Sequence, residues 1–230
     1  MLAHRALFVS AVLMMDIAWV RSQFPAFEVP SLDGQAFFEN AGGSYTCRQV
    51  VDRLHRFYTE RKVQPYAPYD ASRLGGEEMD EARVRLAAML GVATHELSFG
   101  PSTSQNVYVL ANAVRRWLKP GEAIIVSNQD HEANSGPWRR LAEEGIEVRE
   151  WQIDPDTGQL NPADLANMLD DKVRLVCFPH CSNVVGAIND VVEITAIAQA
   201  AGARVVVGMD PGVLCVQQFR AALSYQPHAP

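Results

Sequence analysis

Cysteine is sparse in this 230-residue chain, and what there is does not pair up: Cys47, Cys177, Cys181 and Cys215 contain no CxxC spacing. That excludes a disulfide-dense secreted scaffold and points to a reducing, cytoplasmic compartment. Cys177 and Cys181 flank His180, but their spacing straddles a strand end and no second ligand pair lies nearby, so no metal is expected. Positive charge is also short, with a net charge of -7 and arginines scattered along helices rather than clustered. Nucleic acid is therefore not expected as a partner. Long apolar runs are missing too. The run Ala6–Met15, broken only by Ser10, is too short to span a bilayer and has no clear small-residue cleavage site, so no membrane partner is expected. Met15-Asp16 offers a second start, and residues 1–15 are read as an extension or a mis-assigned start.

What remains is 48% hydrophobic and 20% charged, the composition of a folded protein with a substantial core. Val50, Val51, Leu54, Phe57 and Tyr58 mark a helix. A Pro- and Tyr-rich loop is expected over Gln64–Arg73, then a helix from about Glu77 with Met79, Ala82, Leu86, Met89 and Leu90 inward. Leu97–Phe99 reads as a short strand, Gly100-Pro101 as a turn, and Val107, Leu110, Val114 and Leu118 as one face of a helix. From there strands and helices alternate. Strands are expected at Ala123–Val126, Ile146–Trp151, Val173–Phe178 and Ala203–Val207, with helices at Glu132–Glu144, after Asn161-Pro162, and at Val191–Ala201. This order defines an α/β fold of three α/β/α layers around a mostly parallel sheet, with its ligand at the carboxyl ends of the strands.

Polar residues gather at those ends. Ser102, Thr103 and Ser104 open a helix, where free N–H groups and the positive dipole end suit a phosphate or carboxylate, although serine and threonine there are also ordinary caps. Asp130-His131-Glu132-Ala133-Asn134 follows a second strand and His180-Cys181-Ser182-Asn183 a third. A planar ring with a phosphate arm fits this set: cupped by the first group, stacked on His131 and hydrogen-bonded at its edge by Asn183.

Phe38-Glu39-Asn40-Ala41-Gly42, Gly100-Pro101-Ser102-Thr103-Ser104-Gln105-Asn106, His131-Glu132-Ala133-Asn134 and Pro179-His180-Cys181-Ser182-Asn183-Val184-Val185-Gly186 appear in this order. They resemble the YLDNAA, GTTEAIN, HEAN and HxSNxxG segments of class V aminotransferase fold enzymes, specifically the cysteine desulfurase and selenocysteine lyase group. The resemblance runs from about residue 16 to residue 207. It implies the large domain of a fold-type I pyridoxal-phosphate-dependent transferase, in truncated form. Residues 16–47 would be an N-terminal segment associated with the small domain or dimer interface, 48–207 a partial cofactor-binding domain, and 208–230 a divergent tail. The implied cofactor is pyridoxal 5'-phosphate. Ser102 and Thr103 would bind its phosphate, His131 would stack on the ring, and Asn183 would bond the 3-hydroxyl. Asn40, Ala41 and Asn134 would lie on the substrate side, and Asn106 would brace the phosphate-loop helix. Intact relatives would act as homodimers on an amino acid such as cysteine.

The departures shape the expected activity. After Val205-Val206-Val207 the family places an Asp for the pyridine nitrogen, where this chain has Gly208-Met209-Asp210-Pro211. The Schiff-base lysine is expected some two dozen residues farther on, and the chain has only Lys62, Lys119 and Lys172. The expectation is therefore a desulfurase-like fragment, sulfur removal from cysteine being its ancestral chemistry, inactive as this chain. An active lyase, transaminase or epimerase variant and a noncatalytic binding or regulatory protein are the alternatives.

Overall fold

The computed structural model describes residues 16–39 and 41–208. The chain divides into two compact units after Ala82.

In the first unit, α1 (Ile17–Ser22) is capped by Asp16, whose carboxylate accepts the Trp19 N–H at 2.9 Å. Two short 3₁₀ turns follow, and the rings of Phe24, Phe27, Phe37 and Tyr45 meet in a chain of edge and tilted contacts 4.8–6.1 Å apart. Helix α2 (Arg48–Arg56) runs on into a π-helical turn, Phe57–Arg61. Helix α3 spans Asp70–Leu90, so it starts seven residues before the expected Glu77 and absorbs part of the expected loop. The Gly75-Gly76 pair, a weak helix former by propensity, is held there by packing. A Cβ on Gly76 would approach the Tyr66 ring to 2.7 Å, so the helix and the preceding loop close on each other only because that side chain is absent. The buried Ser72 hydroxyl tightens the same loop, accepting from Ala67 N–H at 2.7 Å and donating to the Gln64 carbonyl at 2.5 Å. Met79 and Met89, expected inward, are exposed.

The second unit is built on a parallel four-stranded sheet in the order β2-β1-β3-β4: β1 Ala123–Ser127, β2 Glu147–Trp151, β3 Val173–Pro179 and β4 Arg204–Gly208. Its helices are α4 (Thr103–Arg115), α5 (Glu132–Arg139), α6 (Pro162–Met168) and α7 (Val191–Ala200). Alternate strand residues feed two separate cores. Ala123, Ile125, Val176 and Phe178 pack with Leu165 of α6 and Val191, Ile194 and Ala198 of α7. Ile124, Val126, Leu175 and Cys177 pack on the other face with Val107, Ala111 and Val114 of α4 and Trp138 of α5. These are the expected three layers. The helical face of α4 is carried by Ala111, with Leu110 turned outward. Asn161 and Asp190 cap α6 and α7 as their sequences suggest, accepting from Ala163 N–H and Glu193 N–H at 3.0 Å each.

Leu97–Phe99 is not a strand. Thr94–Glu96 forms a 3₁₀ turn, closed by the Glu96 carboxylate accepting the Ala93 N–H at 2.8 Å, and the three residues after it run extended without a ladder partner among the described residues. Phe99 stays exposed, with the Arg83 guanidinium 5.9 Å from its ring centre. The stretch between the closed turn and Gly100-Pro101 has strand-like residues but no partner strand among the described residues, and an extended segment without a ladder is not a strand.

Candidate cofactor-binding site

The first group of candidate residues opens α4. The Ser102 hydroxyl accepts the Gln105 N–H at 3.2 Å and the Ser102 carbonyl accepts Asn106 N–H at 2.9 Å, so Ser102 is the cap. Thr103 and Ser104 occupy the first turn, where backbone N–H groups have no helical acceptor and point out of the end of the helix. Capping and anion binding are compatible here, since a capping hydroxyl still has its own proton to donate. The approach to the helix is fixed by Gly100: a Cβ there would overlap the Asn106 side-chain amide. The Asn106 side chain thus lies back against the turn at Gly100.

The second group follows β1. His131 caps α5, its Nδ1 accepting the Ala133 N–H at 3.0 Å. The residue is exposed, so a ring face remains accessible. The His131 N–H donates to Asp130 Oδ1 at 2.8 Å, and the buried Asn134 amide donates to Asp130 Oδ2. Burial pushes the Asp130 carboxyl up to about 6; the Asn134 and His131 hydrogen bonds and the charges of His131 and Arg139 only partly offset it.

The third group follows β3. The Ser182 hydroxyl donates to the Gln129 carbonyl at 3.0 Å and accepts the N–H groups of Val184 and Val185 at 3.3 Å, winding the turn that carries half-buried Asn183. Gly186 closes that turn at φ +69°, a left-handed conformation that side chains disfavour. Asn189 donates to Gln129 Oε1 at 2.6 Å and to the Pro179 carbonyl at 2.7 Å. Gln129, Ser182 and Asn189 therefore tie the loop after β1 to the loop after β3. Gln129 and Asn189 belong to no motif, and Ser182 stands out only as part of the run His180-Cys181-Ser182-Asn183. Their signal was weak, since isolated polar residues in loops become informative only when shown buried together.

The loop after β1 also meets the end of β4. An ideal Cβ on Gly208 would overlap Asn134 Nδ2 and lie 2.8 Å from Asp130 Oδ2. Nearby, the His180 N–H donates to the Gly208 carbonyl at 2.7 Å. The carboxyl ends of β1, β3 and β4 thus converge, as expected, with His131, Asn134 and Asn183 on linked loops. Ser102 and Thr103 reach the same unit on α4, which shares a core with α5, rather than at the end of a strand. Ala41 is exposed in the first unit; Asn40, Asp210 and Cys215 lie outside the described residues. The Cys177 thiol is fully buried, and burial first and the Asp130 charge second push its pKa well up, which makes it inert.

A parallel sheet between two helical layers, with polar loops joined across the carboxyl ends of three strands, is the large-domain architecture of fold-type I pyridoxal-phosphate-dependent transferases. The chain belongs to the class-V aminotransferase family, which matches residues 36–214. Among its relatives are a cysteine desulfurase of Serratia proteamaculans, 34% identical over 85% of this chain and 49% of that protein, and an aminotransferase-like protein of Gibberella zeae, 35% identical over 91% of this chain and 49% of that protein. The apo structure of a cysteine desulfurase from Thermococcus onnurineus superposes with a TM-score of 0.76 at 26% identity, over 84% of this chain and 47% of that one. The chain spans about half the length of the curated relatives it matches.

Proposed function

We propose that this chain forms the ring- and phosphate-binding part of a cysteine-desulfurase-like pyridoxal-phosphate protein, and that on its own it binds the cofactor reversibly without turning over an amino acid. The observation that carries this reading is the joining of the His131 loop to the Asn183 loop through Gln129, Ser182 and Asn189 at the carboxyl edge of the sheet.

The residues present fit the ring and the phosphate. Ser102 and the first-turn amides of α4 offer donors to a dianion. His131, with Nδ1 engaged by Ala133, is fixed at the start of α5, and the half-buried Asn183 lies on the turn wound by Ser182, which is tied to the His131 loop through Gln129. Bound pyridoxal phosphate would supply the electron sink for amino-acid chemistry. Asn134 sits beside His131, and Ala41 and Asn40 are assigned to the substrate side by family resemblance. Covalent attachment does not fit. Lys172 immediately precedes β3 at its amino end, opposite the site, and Lys119 lies just before the turn that leads into β1. Among the described residues of the second unit, nothing therefore both anchors the cofactor and carries the substrate proton.

Titration of the 230-residue chain with pyridoxal phosphate, followed by absorbance, tests the reading. Weak saturable binding is expected, reduced about tenfold or more in Ser102→Ala and His131→Ala, since each removes one oriented contact. Borohydride treatment should trap no adduct at a unique lysine, and sulfide release from cysteine should match the free-cofactor background. Stoichiometric trapping at Lys62, Lys119 or Lys172, or wild-type turnover lost in His131→Ala, would overturn it.

A further inference from the structure

Electron withdrawal through a pyridine ring is strong only when the ring nitrogen is protonated, and a carboxylate facing that nitrogen keeps it so. Resting on the cofactor reading above, we propose that Asp130, from the loop after β1, is the carboxylate that faces the ring nitrogen in this chain, in place of any group on β4.

The geometry is specific. Gly208 ends β4 with no side chain, and the space into which one would project is filled by Asn134 Nδ2 and Asp130 Oδ2. The acid therefore arrives at the same spot from a different strand. It is held at both oxygens: Oδ1 takes the His131 N–H at 2.8 Å and Oδ2 takes the Asn134 amide. A carboxylate accepts about four hydrogen bonds, and the described residues supply two of them. Asp130 is also adjacent in sequence to His131, the residue assigned to the ring face, so ring and acid are positioned by one loop.

The neighbouring charges do not compete for the role. Glu132 lies on the exposed side of α5 in an ion pair with Arg139 at 3.1 Å, Asp190 is committed to capping α7, and Cys177 is a fully buried neutral thiol. His180, at the end of β3, is buried beside Gly208. Arg139 reaches Glu150 at 3.0 Å, and its charge acts on Asp130 less than burial does. An acid in this setting gains from a cation placed against it, because the partner offsets the cost of desolvating the charge.

Pyridoxine 5'-phosphate is the probe, because it has the ring nitrogen and the phosphate but no aldehyde and so needs no lysine. Its absorption reports the protonation of the bound ring, read as a pH titration of the complex with wild type and with Asp130→Asn. The substitution is isosteric and keeps one of the two acceptors, for either the His131 N–H or the Asn134 amide; circular dichroism checks that the variant folds. In wild type the bound ring nitrogen is expected to stay protonated to a pH at least one unit higher than in Asp130→Asn, with about tenfold tighter binding at neutral pH. A second arm needs no variant: wild type should prefer pyridoxine phosphate to the analogue with carbon in place of the ring nitrogen by about the same factor. Equal ring titration in both proteins, or equal affinity for the two ligands, overturns the assignment of Asp130 while leaving the cofactor reading intact. Absence of binding of pyridoxine phosphate to wild type overturns both.

Discussion

The two units of this molecule are held together by different physics. Residues 83–208 bury apolar side chains on both faces of one sheet, with Trp138, Trp151, Phe178, Ile124, Ile125 and Leu165 fully enclosed. In the described part before Arg83 no hydrophobic side chain is fully buried, and Val50, Val51 and Leu54 of α2 are exposed. That part relies on ring edges and on Glu78, which gathers Arg53, Arg56 and Arg61. Burial works to raise the Glu78 pKa, but the charges of Arg53 and Arg61 and the hydrogen bonds from Arg61 and Arg56 outweigh it and hold the carboxyl low. The difference teaches where rigidity comes from. Close packing resists small displacements, whereas ion pairs between long, partly exposed side chains re-form after them, and the proposed site is built on the packed unit.

The largest test of this contrast compares truncations. Leu165→Ala or Phe178→Ala should cost about 3–5 kcal/mol by urea denaturation, and Leu54→Ala no more than about 0.5 kcal/mol. Similar losses in both would erase the contrast. Asp130 comes next. Its pKa is raised on folding, so the native state holds more protons than the unfolded chain between the usual carboxylate range and about pH 6. Its contribution to stability should therefore fall as pH rises through that window, by up to about 3 kcal/mol, while carboxylates held low, such as Glu78 and Asp170, work the other way; the difference between wild type and Asp130→Asn isolates the Asp130 part. Denaturation midpoints from pH 4 to 7 read this directly. A rising difference between wild type and variant would reverse the sign. Gly100→Ala should cost roughly 1–3 kcal/mol by forcing Asn106 aside, and Gly100→Ala/Asn106→Ala should recover most of it, since the obstructing amide is gone. Asp190→Ala should lose about 1 kcal/mol with the α7 cap. Smallest is Glu78→Gln, at about 1 kcal/mol or less and shrinking further in high salt. A salt-independent loss would mean that the arginine cluster acts as packing rather than as charge.

The strands of the sheet were legible because β1 and β3 are short apolar runs bounded by turn residues and buried on both faces. Helix caps such as Asn161 and Asp190 were legible for a local reason: the bond they make spans two or three residues. The start of α3 was hidden by Gly75-Gly76, because propensity penalises glycine while the Tyr66 ring requires it. Leu97–Phe99 has strand-like residues, but a strand exists only with a partner, which three residues cannot announce. In the site, the segments carrying Ser102, His131, Asn134 and Asn183 were found as motifs. The buried bonds among Gln129, Ser182 and Asn189 were not, since they join residues about 53–60 positions apart.

Gly208 also constrains how this sequence can change. With Asn134 and Asp130 filling the place of its missing side chain, aspartate at 208 is blocked while both remain as they are. Substitutions at 130 or 134 must come first, and each of those alone breaks the hydrogen bond between them. The three positions are thus epistatic: aspartate at 208 requires a change at 130 or 134 as well. A library randomised at 130, 134 and 208 together should return aspartate at 208 only alongside smaller residues at one or both of the other two.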